Sequence, residues 1–296
     1  MTRPVPRLCR IVIGTAALLF AAADAPPGVA PPPAALHADP FYAKYLDAGG
    51  LAVLGSARAP DAALAAARAI LTGMLAHRPD LARVLVAQGY RVAVMAADET
   101  TTDLPEQRGW TRPAVDDPRL TRCERKHYAE RIGGLTDRQY WDARARGMAG
   151  PLTSAGAENL LAGPDDRYHG QNIFVHEFAH DVLAAIRTAD PALTAQVERA
   201  YAAALKRGRW KDEYASTTVD EYWAVGSQFW FNSGRIVAFD RVHILSDADL
   251  LRYDPALAAV LRAAYGDTHR LLADRFWMSP DRVPPGPLPR FTAEVC

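Results

Sequence analysis

The stretch Ile173 to Asp181 reads I-F-V-H-E-F-A-H-D, and its reading decides the fold. Inside it stands H-E-x-x-H: His176, Glu177 and His180. On a helix, side chains four residues apart lie one above the other on the same face. The imidazoles of His176 and His180 are then placed to hold one metal ion. Glu177 projects beside them, where a carboxylate can take a proton from water at the metal. The flanking residues support the helix. Val175, Phe178, Ala179, Val182 and Ile186 recur at helical spacing and form an apolar stripe next to the histidines. One side of the helix can enter a core while the other faces a cleft.

A catalytic zinc site takes three protein ligands and keeps one position open. The downstream candidates for the third are Asp190, Glu198, Asp212, Glu213, Asp220, Glu221, Asp240 and His243. Six residues after His180 stands Ile186, so no third histidine extends the motif. Glu221 is the best of the set because it opens a second helix, and two facing helices can surround a metal from both sides. Thr218-x-x-Glu221 is also a capping box, which asks Glu221 to fold back onto its own helix. One carboxylate cannot fill both roles. With Glu221 on the metal, Asp220 is left to meet the helix N-terminus.

The 296 residues, 49% of them hydrophobic, suffice for one large domain or two small ones. The 34 basic and 34 acidic residues cancel. Nothing in the charge points to nucleic acid or to a membrane surface. Arg3, Arg7 and Arg10 precede an apolar run from Ile11 to Ala23, and Ala23-Asp24-Ala25 is a small-x-small site. This layout predicts a signal peptide over residues 1–25 and a mature protein that is secreted or periplasmic. Cys9 lies in that segment. Cys123 and Cys296 are an even pair, and in an oxidising compartment they are expected to form a disulfide. The alternative is a cysteine thiolate on the metal.

A proline-rich linker covers 26–40. A short helical piece is expected over Phe41 to Asp47, and a strand over Leu51 to Leu54. Helices are expected from Pro60-Asp61 to about His77, and from Pro79 to Gly89. Tyr90 to Ala96 alternates as a strand. Asp98 to Asp117 reads as a long loop, and Leu120 to Gly150 as a solvated, ion-paired segment. Around Met148 to Leu161 a strand is expected to line the cleft, with Glu158 and Asn159 able to join it. His169 reads as a loop residue or a neighbour of the ligands. Helices are expected over Pro191 to Arg207, from Thr218 onward, and over Pro255 to Arg275. No internal repeat, phosphate loop or nucleophile elbow is present.

H-E-F-A-H-D followed by Y-x-x-T-x-x-x-E-Y-W-A resembles the anthrax lethal factor and Pro-Pro endopeptidase family of gluzincin metallopeptidases. The resemblance covers Ile173 to Asn232, about a fifth of the chain. It implies one zinc ion per chain on His176, His180 and Glu221, with Glu177 as general base. Tyr214, seven residues before Glu221, is implied to stabilise an oxyanion. Ala179 replaces the family's usual glycine and keeps that position small. The implied fold is α+β and zincin-like, mostly helical, with a small mixed sheet beside the metal helix. An N-terminal α/β part over 41–147 and a catalytic part over 148–296 are expected. The expected activity is hydrolysis of a peptide or protein substrate. The alternatives are a catalytically silent binding module of the cell envelope and a hydrolase of a non-peptide amide.

Overall fold

The computed structural model describes residues 28–118, 120–239 and 242–287. The expected signal peptide, Asp240 and Cys296 lie outside the described residues. Cys123 is buried and disulfide-bonded.

The first hairpin is β1 (Lys44–Ala48) and β2 (Leu51–Gly55), antiparallel with Ala48 opposite Leu51. Gly49 and Gly50 turn the chain at φ 69° and 95°, where only glycine is free of a Cβ clash. The Asp47 carboxylate accepts both of their amides, at 3.2 and 3.0 Å. The helical piece expected over Phe41 to Asp47 is therefore corrected: a turn at Phe41 leads into the strand, which begins at Lys44. Pairing with the wholly buried β2 outweighs the weak local preference of that segment.

Two helices, α1 (Asp61–Leu75) and α2 (Pro79–Ala87), carry the chain over to β3 (Arg91–Met95), parallel to β2. Two short helices follow, α3 (Arg122–Lys126) and α4 (Asp137–Arg144). Then β4 (Gly147–Met148) pairs antiparallel with β5 (Leu152–Gly156), which lies parallel to β3. The mixed sheet has the order β1-β2-β3-β5-β4, with β4 at the edge. Its period of two sorts the side chains into two clusters. Leu51, Val53, Val92 and Val94 join the main core with the helices. Ala52, Leu54, Ala93 and Met95 pack with Tyr42 and Leu104 on the other face.

The helical layer consists of α5 (Ala157–Leu160), α6 (Ile173–Ala189), α7 (Pro191–Lys206), α8 (Val219–Trp230), α9 (Asp247–Tyr253) and α10 (Pro255–Tyr265). A small hairpin of β6 (Val237–Phe239) and β7 (Val242–Ile244) sits between α8 and α9. The last helix stops well short of Arg275, because Gly266 takes φ 64° directly after Tyr265. The protein is thus α+β, and one main core takes side chains from both sides of the expected boundary at 147/148. That boundary falls inside β4. Among the described residues no helix is long and apolar enough to cross a membrane.

Two features of the segment before α6 differ from expectation. Arg138 and Arg144 form the expected outer ion pairs, with Asp103, Asp142 and Glu124. Arg146 instead is 5% exposed. It pairs with Glu158 and donates to the carbonyls of Ala96 and Glu99. Its charge is buried because a carboxylate and two carbonyls satisfy the guanidinium there. Glu158 is consequently turned away from the cleft.

The start of α6 is set by Asn172. Its Oδ1 accepts the Val175 amide at 3.2 Å, and its Nδ2 donates to Asp274 at 2.8 Å. Asn172→Ala removes a helix cap and one donor from a buried carboxylate. A loss of roughly 2–4 kcal/mol is expected from those two effects. Urea denaturation should record it as a lower midpoint with an unchanged slope.

Candidate metal centre

The length of α6 and the packing of α8 across it build the site. Asn172 starts α6, so His176 stands one turn in and His180 two turns in. Trp223 is fully buried on α8 and donates its indole N–H to the Ala179 carbonyl at 2.9 Å. Arg187, near the end of α6, makes a two-pronged pair with Asp220 at 2.6 and 2.9 Å. These two contacts bring the first turn of α8 over the histidines. Asp220 stands in the first turn of α8, as expected, where its carboxylate accepts its own backbone amide and also takes the Arg187 pair.

Glu221 lies at that first turn. Thr218 accepts the Glu221 amide at 3.1 Å, which is half of a capping box. The Glu221 side chain does not complete the box. Its Oε2 lies 3.0 Å from His176 Nε2 and 3.6 Å from His180 Nε2. The two histidine Nε2 atoms are 3.3 Å apart. Ligand atoms about 2.0–2.1 Å from a tetrahedral zinc are about 3.3 Å from one another. The three atoms are therefore spaced as the edges of one face of a zinc tetrahedron. Two imidazoles and a carboxylate are also a donor set that zinc accepts. Among the described residues, these three are the group whose ligand atoms all fall within 4.8 Å.

Two of the three side chains are held in the form that binds metal. Burial and the neighbouring His176 lower His180 to about 4, which keeps it in the neutral form that binds metal. Burial raises Glu221, yet its hydrogen bond to His176 and the two imidazoles outweigh that and hold its carboxyl below the ordinary value. Burial pushes Glu177 up to about 7, against the pull of His176. A cation between the ligands would draw that carboxyl back down.

Glu177 faces a cleft of about 530 Å³. The edge strand β4 runs directly against it. A Cβ on Gly147 would stand 3.2 Å from Glu177 Cγ and 3.4 Å from Ile173, so glycine is what lets the strand approach this closely. The Ala149 amide hydrogen-bonds the Glu177 carboxylate. Tyr214 sits in a single 3-10 turn, Tyr214–Ser216, that folds back in front of α8. Its hydroxyl donates to Glu221 Oε1 at 3.0 Å, and its ring stacks 6.1 Å from the His176 ring. The residue is 43% exposed.

The structure thus brings His176, Glu177, His180, Glu221 and Tyr214 to one cleft. Asn159 is buried outside it, accepting the Ile173 amide at 2.8 Å. His169 is exposed and lines no part of the cleft. Two residues escaped the sequence reading. Asp181 follows the second histidine and fastens the β4–β5 turn to α6, through the Gly150 amide and the Thr153 hydroxyl. Burial raises its carboxyl to about 8. Gln228 bonds His176 from the far side. Asp181 had a signal in its place within the quoted stretch. Gln228 had none, since its partner is 52 positions away.

No family model matches the chain. None of the curated protein sequences matches it either. Among solved structures, the chain is similar to the Pro-Pro endopeptidase PPEP-2 from Paenibacillus alvei. The two share 15% sequence identity with a TM-score of 0.45, over 71% of this chain and 96% of that one.

Proposed function

We propose that this protein is a secreted zinc metalloendopeptidase of the H-E-x-x-H…E gluzincin type. The observation that carries this reading is the spacing of 3.0, 3.3 and 3.6 Å among the three ligand atoms. Zinc held there supplies Lewis acidity, polarising a carbonyl oxygen and bringing the pKa of water toward neutral. Glu177 then takes the proton of the attacking water and returns it to the leaving amine. Tyr214 releases Glu221 and donates its hydroxyl to the oxygen that becomes negative in the transition state. A peptide substrate is favoured because β4 is an edge strand along the cleft, with one side already paired to β5. An extended chain can add to the other side. Export is proposed from the segment Arg3 to Ala25, and the bonded Cys123 fits an oxidising compartment.

The purified mature protein is expected to carry one zinc per chain and to cleave members of a broad peptide library. A chelator should abolish cleavage, and added zinc should restore it. Metal analysis finding no zinc, or cleavage indifferent to chelator, would sink the reading.

A further inference from the structure

We infer that Gln228 is the positioning residue that fixes the tautomer of His176 and aims its Nε2 lone pair at the metal centre. The inference rests on the zinc-site reading above and goes beyond it, to what prepares the site. The chain of contacts begins at a backbone carbonyl. The amide nitrogen of Gln228 donates to the Asn172 carbonyl at 3.0 Å. A carbonyl can only accept, so this contact settles which end of the Gln228 amide is nitrogen. The other end, Oε1, then lies 3.2 Å from His176 Nδ1. An amide oxygen also can only accept, so Nδ1 must carry the hydrogen. In a neutral imidazole the hydrogen on Nδ1 leaves Nε2 as the lone pair. Nε2 stands 3.0 Å from Glu221 Oε2 and 3.3 Å from His180 Nε2, so with Nδ1–H held by Gln228 it is the nitrogen that a metal ion between the three would take.

Burial makes the arrangement selective. Gln228 is 4% exposed, Asn172 0% and His176 6%. Water does not compete for these bonds, and turning the amide around would set two donors or two acceptors face to face. Asn172 also caps α6, so one residue both starts the metal helix and sets the Gln228 amide. Gln228 stands seven residues after Glu221 on α8, two turns along the same face. The helix that brings one ligand thereby also orients another. A partner on the far nitrogen of a ligating histidine typically changes metal affinity by about 10–100-fold.

The test is zinc affinity of the mature protein, measured by competition with a chromogenic chelator. Wild type is compared with Gln228→Met and Gln228→Glu. Methionine matches the volume and has no oxygen for Nδ1–H. Glutamate keeps that acceptor. Gln228→Met is expected to loosen zinc by about 10–100-fold, while Gln228→Glu, which keeps the acceptor for Nδ1–H and loses the bond to the Asn172 carbonyl, is expected to melt lower than wild type and yet hold zinc more tightly than Gln228→Met. Nitrogen-15 NMR of zinc-loaded wild type should find the metal on His176 Nε2 and a hydrogen on Nδ1. Unchanged zinc affinity in Gln228→Met overturns the inference alone. Equal losses of affinity in both variants, tracking equal losses of melting temperature, overturn it in favour of simple packing. Ligation through Nδ1 in wild type overturns it without any variant. Wild type that takes up no zinc overturns the site reading and this inference together.

Discussion

Glu177→Gln is expected to keep zinc and the fold while kcat falls by about 10²–10⁴-fold, the usual share of a general base. The amide is nearly the same shape as the carboxylate. Its oxygen can still accept the Ala149 amide, the contact that the carboxylate makes now. Its Cγ keeps its place against Gly147, where a Cβ would be 3.2 Å away. Only the ability to take a proton is lost. Steady-state kinetics on a library hit, with zinc content and melting temperature alongside, check this. His180→Ala is the useful contrast: it should lose the metal itself, because it removes one of three ligands. Turnover at the wild-type rate in Glu177→Gln would end the proposed mechanism.

Tyr214→Phe should lower kcat by about 10²–10³-fold, the typical effect of losing one oxyanion donor. KM should change little, since the hydroxyl is assigned to the transition state and not to substrate binding. The melting temperature should also hold. The residue is 43% exposed, and its ring keeps the stack on His176 in the phenylalanine variant. One competing route to the same loss exists. The hydroxyl donates to Glu221 Oε1 at 3.0 Å, so its removal could act through the ligand. Zinc affinity separates the two. Affinity unchanged with turnover down supports donation to the oxyanion. Affinity falling in step with turnover assigns Tyr214 to holding Glu221. Turnover near wild type reduces the tyrosine to packing.

The parts of this molecule legible in sequence are those set by local periodicity. His176, Glu177 and His180 are four residues or fewer apart, so helix geometry alone relates them. The apolar stripe of α6 and the alternation of β3 are local in the same sense. Two misreadings share another cause. Within the stretch Phe41 to Asp47, Lys44 onward became a strand through its partner β2. Arg146 was buried by Glu158 and by carbonyls from a distant loop.

The sequence by itself placed His176, Glu177 and His180 on one helix of an α+β chain and raised the expectation of an export signal over residues 1–25. It left Glu221 between two uses, cap or ligand, because both are consistent with Thr218-x-x-Glu221. Only the tertiary structure turns its carboxylate away from the start of its own helix and toward the two histidines. Trp223 on Ala179 and Arg187 on Asp220 hold α8 across α6, and in that crossing Glu221 Oε2 lies 3.0 Å from His176. The same crossing brings Gln228 to the other nitrogen of that ring. Spacing along a chain fixes which face of its own helix a side chain occupies. What stands opposite that face depends on how two helices pack, and that is set by contacts between residues far apart in sequence.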